Sequence, residues 1–137
     1  MSLANFGPDN SVLTINGRVI SDFGETASPF SDAPIDPKVT LRRGQGGRAV
    51  RLNRINPGRT VNIYLNPGSP DSAHVQGLFN ANANIVLSWT QIGTLEAAIG
   101  TDGVITNDAA MNRAGTTVSD DQYTFEFNVW KATKGGE

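Results

Sequence analysis

His74 is the only histidine in the chain, and there is no cysteine. Thiolate catalysis, a disulfide framework and cysteine-rich zinc sites are therefore excluded by composition, and a lone imidazole offers little for a proton relay or a metal centre. His74 is expected on the polar side of a short helix, away from Val75, Leu78 and Phe79, as a surface residue. The run Gly44-Gln45-Gly46-Gly47 followed by Arg48 has the glycine content of a phosphate-cradling loop. It lacks the strand-to-helix context and the Lys-Ser/Thr pair such a loop needs, so it is read as a hairpin turn. Asp120-Asp121 is the only adjacent acidic pair; no alternating Asp/Asn loop ending in Glu accompanies it, and it is expected to solvate a loop rather than bind calcium. Ser11, Ser88 and Ser119 lack a nucleophile-elbow context. The chain is expected not to be an enzyme and to use no cofactor and no metal.

The remaining chemistry is charge. The net charge is −2, but its distribution is uneven: Lys38, Arg42, Arg43, Arg48, Arg51, Arg54 and Arg59 fall in one segment without a single Asp or Glu. That segment carries +7, and the rest of the chain, with four cations against thirteen acids, carries −9. Seven uncompensated cations suit nucleic-acid phosphates, and a basic hairpin with stacking aromatics would suit single strands. No Phe, Tyr or Trp lies within 38–59. The other partner is an acidic surface, and the remainder of the same chain is one. Head-to-tail contacts between copies would be complementary, and heterologous contacts of this kind close into rings or propagate as filaments. The seven cations are the candidate inter-subunit contact residues.

The elements that must position them are mostly strands. Apolar residues recur with a period of two in short runs broken by Gly, Asn, Pro and Asp. Residues 11–16 and 18–23 meet at Asn16-Gly17, a dipeptide suited to positive φ. Residues 24–37, with three prolines and little alternation, read as a long loop. The runs 38–43 and 48–53 flank the glycine turn and form a hairpin whose tip is cationic; its apolar stripe is thin, which suits an arm that reaches outward better than a core element. Residues 60–65 alternate cleanly. Ser69-Pro70-Asp71 reads as N-cap, first-turn proline and dipole-compatible acid of a helix of about eleven residues. Residues 85–90 and 94–100 are further strands, an Asp-Gly turn at Asp102-Gly103 leads into 104–106, and 107–118 is a second long loop. Residues 123–130 place Tyr123, Phe125, Phe127 and Val129 on one face and Trp130 on the other, where it is exposed or at a subunit contact. At 137 residues, with no apolar run near the roughly 18 residues of a membrane span, one domain over 1–137 is expected, with loop 24–37, arm 38–53 and a C-terminal tail 131–137. The start, MSLANFGP, has no basic region followed by an apolar run, so a reducing cytoplasm is expected during synthesis and assembly.

The runs 41–60 (LRRGQGGRAVRLNRINPGRT), 64–69 (YLNPGS) and 76–80 (QGLFN), with 1–5 (MSLAN) and 94–100 (TLEAAIG), resemble the tail tube subunits of contractile-tailed bacteriophages. Type VI secretion tube proteins share that architecture. The resemblance implies two orthogonally packed antiparallel sheets with a flanking helix and an extended hairpin arm. It also implies a structural virion protein whose hexameric rings stack into a hollow tube. Genomic DNA would pass through the lumen without specific binding; sheath, baseplate and tail-terminator proteins would be partners, and no membrane would be bound. The other readings are a nucleic-acid-binding β-barrel using the basic hairpin and a carbohydrate-binding β-sandwich, for which Trp89 and Trp130 are the large aromatics available.

Overall fold

The computed structural model describes residues 11–26, 28–92, 94–108 and 114–134. Among them run β1 (Ser11–Ile15), β2 (Arg18–Ile20), β3 (Phe30–Pro34), β4 (Val39–Arg43), β5 (Ala49–Asn53), β6 (Arg59–Leu65), α1 (Pro70–Asn80), β7 (Ile85–Gln91), β8 (Glu96–Asp108) and β9 (Asp121–Thr133). The mainly β class with one short helix and an extended hairpin is as the sequence predicts. Seven strands form one antiparallel sheet in the order β2-β1-β7-β8-β9-β6-β3, and β4-β5 stand apart as a second, two-stranded sheet.

The large sheet curls until its two ends meet. Phe30 on β3 stacks on Trp89 of β7, with ring centroids 6.0 Å apart. In a flat sheet those strands would lie four spacings, about 19 Å, from each other. At the opposite end the chain leaving β2 crosses to β6: Phe23 bridges Leu65, Gly24 donates to the Tyr64 carbonyl at 3.0 Å, and Asn66 donates to the Asp22 carbonyl at 2.9 Å. The expected two packed layers are thus halves of one rolled sheet. The bonds from 22–24 to 64–66 extend pairing across the gap at this end of the roll.

The sequence explains the curvature. The Asp102-Gly103 pair makes a bulge within one long strand, not the turn between two strands that the dipeptide suggests. Ile85 faces Gly103 while Leu87 faces Gly100, so β8 carries one extra residue against β7, with Asp102 at φ 52°. A second irregularity follows against β9, between Ile105 and Asn107. Bulges bend a strand and raise its twist. Gly103 is also a close approach: a β-carbon there would sit 2.3 Å from the Phe127 ring. The Phe125 and Phe127 rings lie beneath this bend at the centre of a core that also takes Leu13, Ile15, Val61, Ile63, Leu65 and Leu87.

Two other expectations are corrected. Within 24–37 the chain forms β3, paired with β6 from Phe30↔Ile63 to Pro34↔Arg59. Its alternation is faint because it is an outer strand that half-buries only Phe30, and proline is tolerated there because the missing N–H would face away from the ladder. The C-terminal segment is strand as far as Thr133, which pairs with Ala97. Parts of the expected 107–118 loop and of the tail, together with 1–10, lie outside the described residues.

The helix begins where the sequence places it. Ser69 caps it by accepting from the Ser72 N–H at 3.1 Å, and Pro70 follows. Val75 is fully buried, and Leu78 and Phe79 pack against the core cluster. The first-turn acid does more than complement the helix dipole. Asp71 is buried; it accepts from the Ser21 and Asp22 backbone N–H groups at 2.9 and 3.0 Å and from Arg18 Nε at 3.0 Å. Asp121, expected in a solvated loop, is also buried and accepts a hydrogen bond from the Ser72 hydroxyl, while the Tyr123 hydroxyl donates to Gln76 Oε1 at 2.9 Å. His74 is half-buried, with Nε2 3.3 Å from the Ile15 carbonyl oxygen.

Burial works to raise the Asp71 pKa, but the two amides and Arg18 together outweigh it and hold the carboxyl below its ordinary value. A depressed carboxyl stabilises the fold above the unfolded pKa of about 4 and loses that contribution as pH falls through the lower folded value. Asp71→Asn is expected to cost about 2 kcal/mol at neutral pH, because the Ser21 and Asp22 N–H groups and Arg18 lose a charged acceptor. Urea unfolding from pH 7 to pH 2 should show the wild type converging on the variant below pH 4. A constant gap across that range contradicts the assignment.

Candidate functional site: the basic hairpin arm

The arm is the outward continuation of the β3–β6 ladder. Beyond Pro34↔Arg59 the two chains stay joined by Ile35 N–H to the Gly58 carbonyl at 3.3 Å and Asp36 N–H to the Pro57 carbonyl at 3.1 Å. Arg54 N–H then bonds the Lys38 carbonyl at 2.9 Å, and the β4–β5 register runs from Val39↔Asn53 to Arg43↔Ala49. Between the Asp36–Pro57 and Lys38–Arg54 contacts one side of the ribbon carries a residue more than the other. Ile55, on that longer side, is 96% exposed. The tip closes with Gly44 N–H to the Arg48 carbonyl at 2.8 Å and Gly47 at φ 89°, a left-handed conformation that favours glycine.

Every residue of β4 and β5 is exposed. Six of the seven candidate cations lie here: Arg42 and Arg43 on β4, Arg48 beside the turn, Arg51 on β5, and Lys38 and Arg54 at the base. None of the six takes part in an ion pair among the described residues. They project from an exposed ribbon, and no ion pair among the described residues relieves their mutual repulsion.

Arg59 differs. It sits on β6 inside the large sheet, where Nε donates to Asp32 Oδ1 at 2.9 Å and its terminal NH2 group contacts the same oxygen. Its guanidinium lies over the Trp130 ring, 5.9 Å from the centroid. Trp130, expected on the face opposite Phe125, is half-buried and tilts against Phe127 at 5.7 Å. The sequence singles out Trp130 but not its contact with Arg59; Asp32, the other anchor of Arg59, and the exposed aliphatics Ile35 and Ile55 at the arm base are missed. The Asp32–Arg59 contact spans 27 residues and leaves no local spacing signal. Between the arm base and β9 runs a groove of about 460 Å³, lined by Pro37, Lys38, Ile55, Arg59, Trp130 and Lys131 among others. No group of three or more potential metal-ligating side chains occurs among the described residues.

No protein-family model and no curated protein matches the sequence. Solved structures do. A chain of the anti-feeding prophage cap (AFP tube terminating cap) is similar at a TM-score of 0.55 and 13% identity, over 98% of this chain and 95% of that one. A chain of the PVC sheath/tube terminator of an extracellular contractile injection system gives 0.56 and 11%, over 94% and 96%. A chain of the PVC sheath-tube complex gives 0.54 and 12%, over 91% and 88%. At these identities the likeness establishes a shared fold across nearly the whole chain.

The contrast between Arg59 and the arm cations is directly measurable. Arg59→Ala is expected to destabilise the monomer by about 1 kcal/mol through loss of the partly exposed ion pair and the Trp130 contact. Arg51→Ala should fall within about 0.5 kcal/mol of wild type, as for a surface site without partners. Equal urea midpoints for the two variants would remove the distinction.

Proposed function

We propose that this protein is a structural subunit that self-assembles into stacked, hexameric rings forming a hollow tube in a phage-type contractile particle. The observation that carries this reading is the arm: a two-stranded basic ribbon continued from the core sheet, exposed along both strands, whose cations form no ion pair among the described residues. An isolated two-stranded hairpin is marginal in water, so the arm is built to be completed by something else. The fold supports a second copy as that partner, because solved structures of the same fold come from the terminator and sheath-tube assemblies of injection particles. The charge arithmetic supports it as well, since the acids outside the basic segment are the complement the arm lacks.

In this reading 1–137 acts as a single tube domain. Lys38, Arg42, Arg43, Arg48, Arg51 and Arg54 contact a neighbouring subunit or ring, and Arg59 braces the arm base from within. Sheath, baseplate and terminator proteins are the further partners, and DNA passes through the lumen without specific binding. The particle is the phage tail, assembled in the host cytoplasm. A second reading, a subunit that terminates the tube, is favoured by the two relatives whose structures are of terminating caps. The basic hairpin without aromatics argues against the alternative of a single-strand-binding barrel.

Negative-stain electron microscopy of the purified protein tests this. Tubes are expected for the tube subunit, whereas isolated rings that never extend point to the terminator. The double variant Arg43→Glu with Arg48→Glu is expected to abolish assembly while the monomer's thermal melt is unchanged. Undiminished tubes would sink the electrostatic arm. A wild type that stays monomeric and shifts duplex DNA in a gel, with a log–log salt slope near 0.9 per phosphate contacted, would replace the reading with nucleic-acid binding.

A further inference from the structure

We infer that the arm is clamped between two further copies of this chain, one on each of its faces, rather than laid against one neighbour. The inference rests on the assembly reading above and follows from the β4–β5 register. Residues directly opposite in an antiparallel pair share a face, and faces alternate along each strand. The pairs Val39↔Asn53, Leu41↔Arg51 and Arg43↔Ala49 define one face; Thr40↔Leu52 and Arg42↔Val50 define the other. Val39 and Leu41 therefore lie on the first face with Arg43 and Arg51. Val50 and Leu52 lie on the second with Arg42.

Each face carries two large aliphatics interleaved with guanidinium groups, and neither is a solvent face. Leu41 is 61% exposed and Leu52 50% exposed, on opposite sides of the same ribbon. A ribbon packed on one side shows clean alternation, apolar towards the partner and polar towards water. The same chain obeys that rule a few residues away. On β6, the continuation of the arm into the sheet, Val61, Ile63 and Leu65 point into the core while Thr60, Asn62 and Tyr64 point outward. The rule is kept where one face is covered and dropped where the ribbon leaves the body, which is what two covered faces require.

Both covering surfaces must supply apolar area and carboxylates. The body of this chain has both to offer: an excess of acids outside 38–59, and exposed aliphatics such as Val19, Val86 and Ile99. Two copies of the chain are thus the occupants that match the arm's chemistry on each side. An arm held on both faces ties three subunits together, so each insertion closes two contacts and a lone pair of subunits leaves one face open.

The test compares the faces. Val39→Ser with Leu41→Ser alters the first, and Val50→Ser with Leu52→Ser alters the second. Each pair should leave the monomer's melting curve in place and reduce the assembled fraction, measured by sedimentation at fixed concentration, by about tenfold or more. Assembly of one pair at wild-type level shows a face open to water and overturns the inference while leaving self-assembly intact. Because serine could loosen the ribbon itself, photo-crosslinking from positions 41 and 52 in otherwise wild-type assemblies gives a second reading. Crosslinks to two different peptides, present together on one arm, are expected; the same peptide from both positions overturns the inference. A wild type that does not assemble removes the assembly reading and this inference with it.

Discussion

The rolled sheet depends at one corner on a buried carboxylate. Where the chain leaves β2 it must abandon the ladder with β1 and cross to β6, and the Ser21 and Asp22 N–H groups are freed at that corner. Asp71 takes both, at 2.9 and 3.0 Å, from the first turn of α1. The helix N-terminus favours the negative charge, and Arg18 at the start of β2 balances it at 3.0 Å. Without this acceptor the crossing would leave both N–H groups without their charged partner, and the helix would rely on Val75, Leu78 and Phe79 for its seating. A helix of eleven residues is marginal by itself. The corner where the chain leaves β2 and the N-terminus of the helix are therefore tied together by a single side chain.

Closure has a mechanical consequence for the arm. The β3–β6 ladder lies along the rolled sheet, pinned on one side by β9, whose pairing with β6 runs from Arg59↔Phe127 to Leu65↔Asp121. On the other side β3 is held by the Phe30–Trp89 stack. The ribbon that continues into β4 and β5 therefore leaves the body from a fixed base. Arg59 reinforces that base by joining β6 to Asp32 on β3 and to Trp130 on β9. One of the seven cations thus builds the support from which the other six are presented.

Much of this was legible in the sequence, and the failures share a cause. The Asn16-Gly17 reversal forms as the dipeptide requires, with φ of 48° and 87°. Helix α1 starts at its predicted cap, and the arm stands free with its thin stripes. These features are set by residues within a few positions of each other. The missed features are set across the sheet. Strand β3 has no alternation of its own and exists because β6 offers it a ladder. Asp102-Gly103 satisfies the local rule for a turn, yet it becomes a bulge because the strand must bend over Phe127. Asp71 carries a dipole signal at its own position, but its role comes from residues about fifty positions earlier. For the arm the sequence showed the cations and their isolation, while the division of aliphatics between two faces emerged only from the register.

The arrangement of charge also bears on how such an arm avoids pairing with its own kind. A long, exposed, two-stranded ribbon with aliphatics on both faces is a template for edge-to-edge aggregation. Arginines at 42, 43, 48 and 51 oppose that pairing by like-charge repulsion. The same charges repel one another within the free ribbon and weaken it. Carboxylates on a neighbouring surface remove both penalties together, relieving the repulsion and burying the aliphatics in one step. In the proposed assembly the arm is therefore most stable in the docked state and least able to pair with its own kind in the free state, so a single run of cations would both oppose ribbon-to-ribbon pairing and direct where the arm binds.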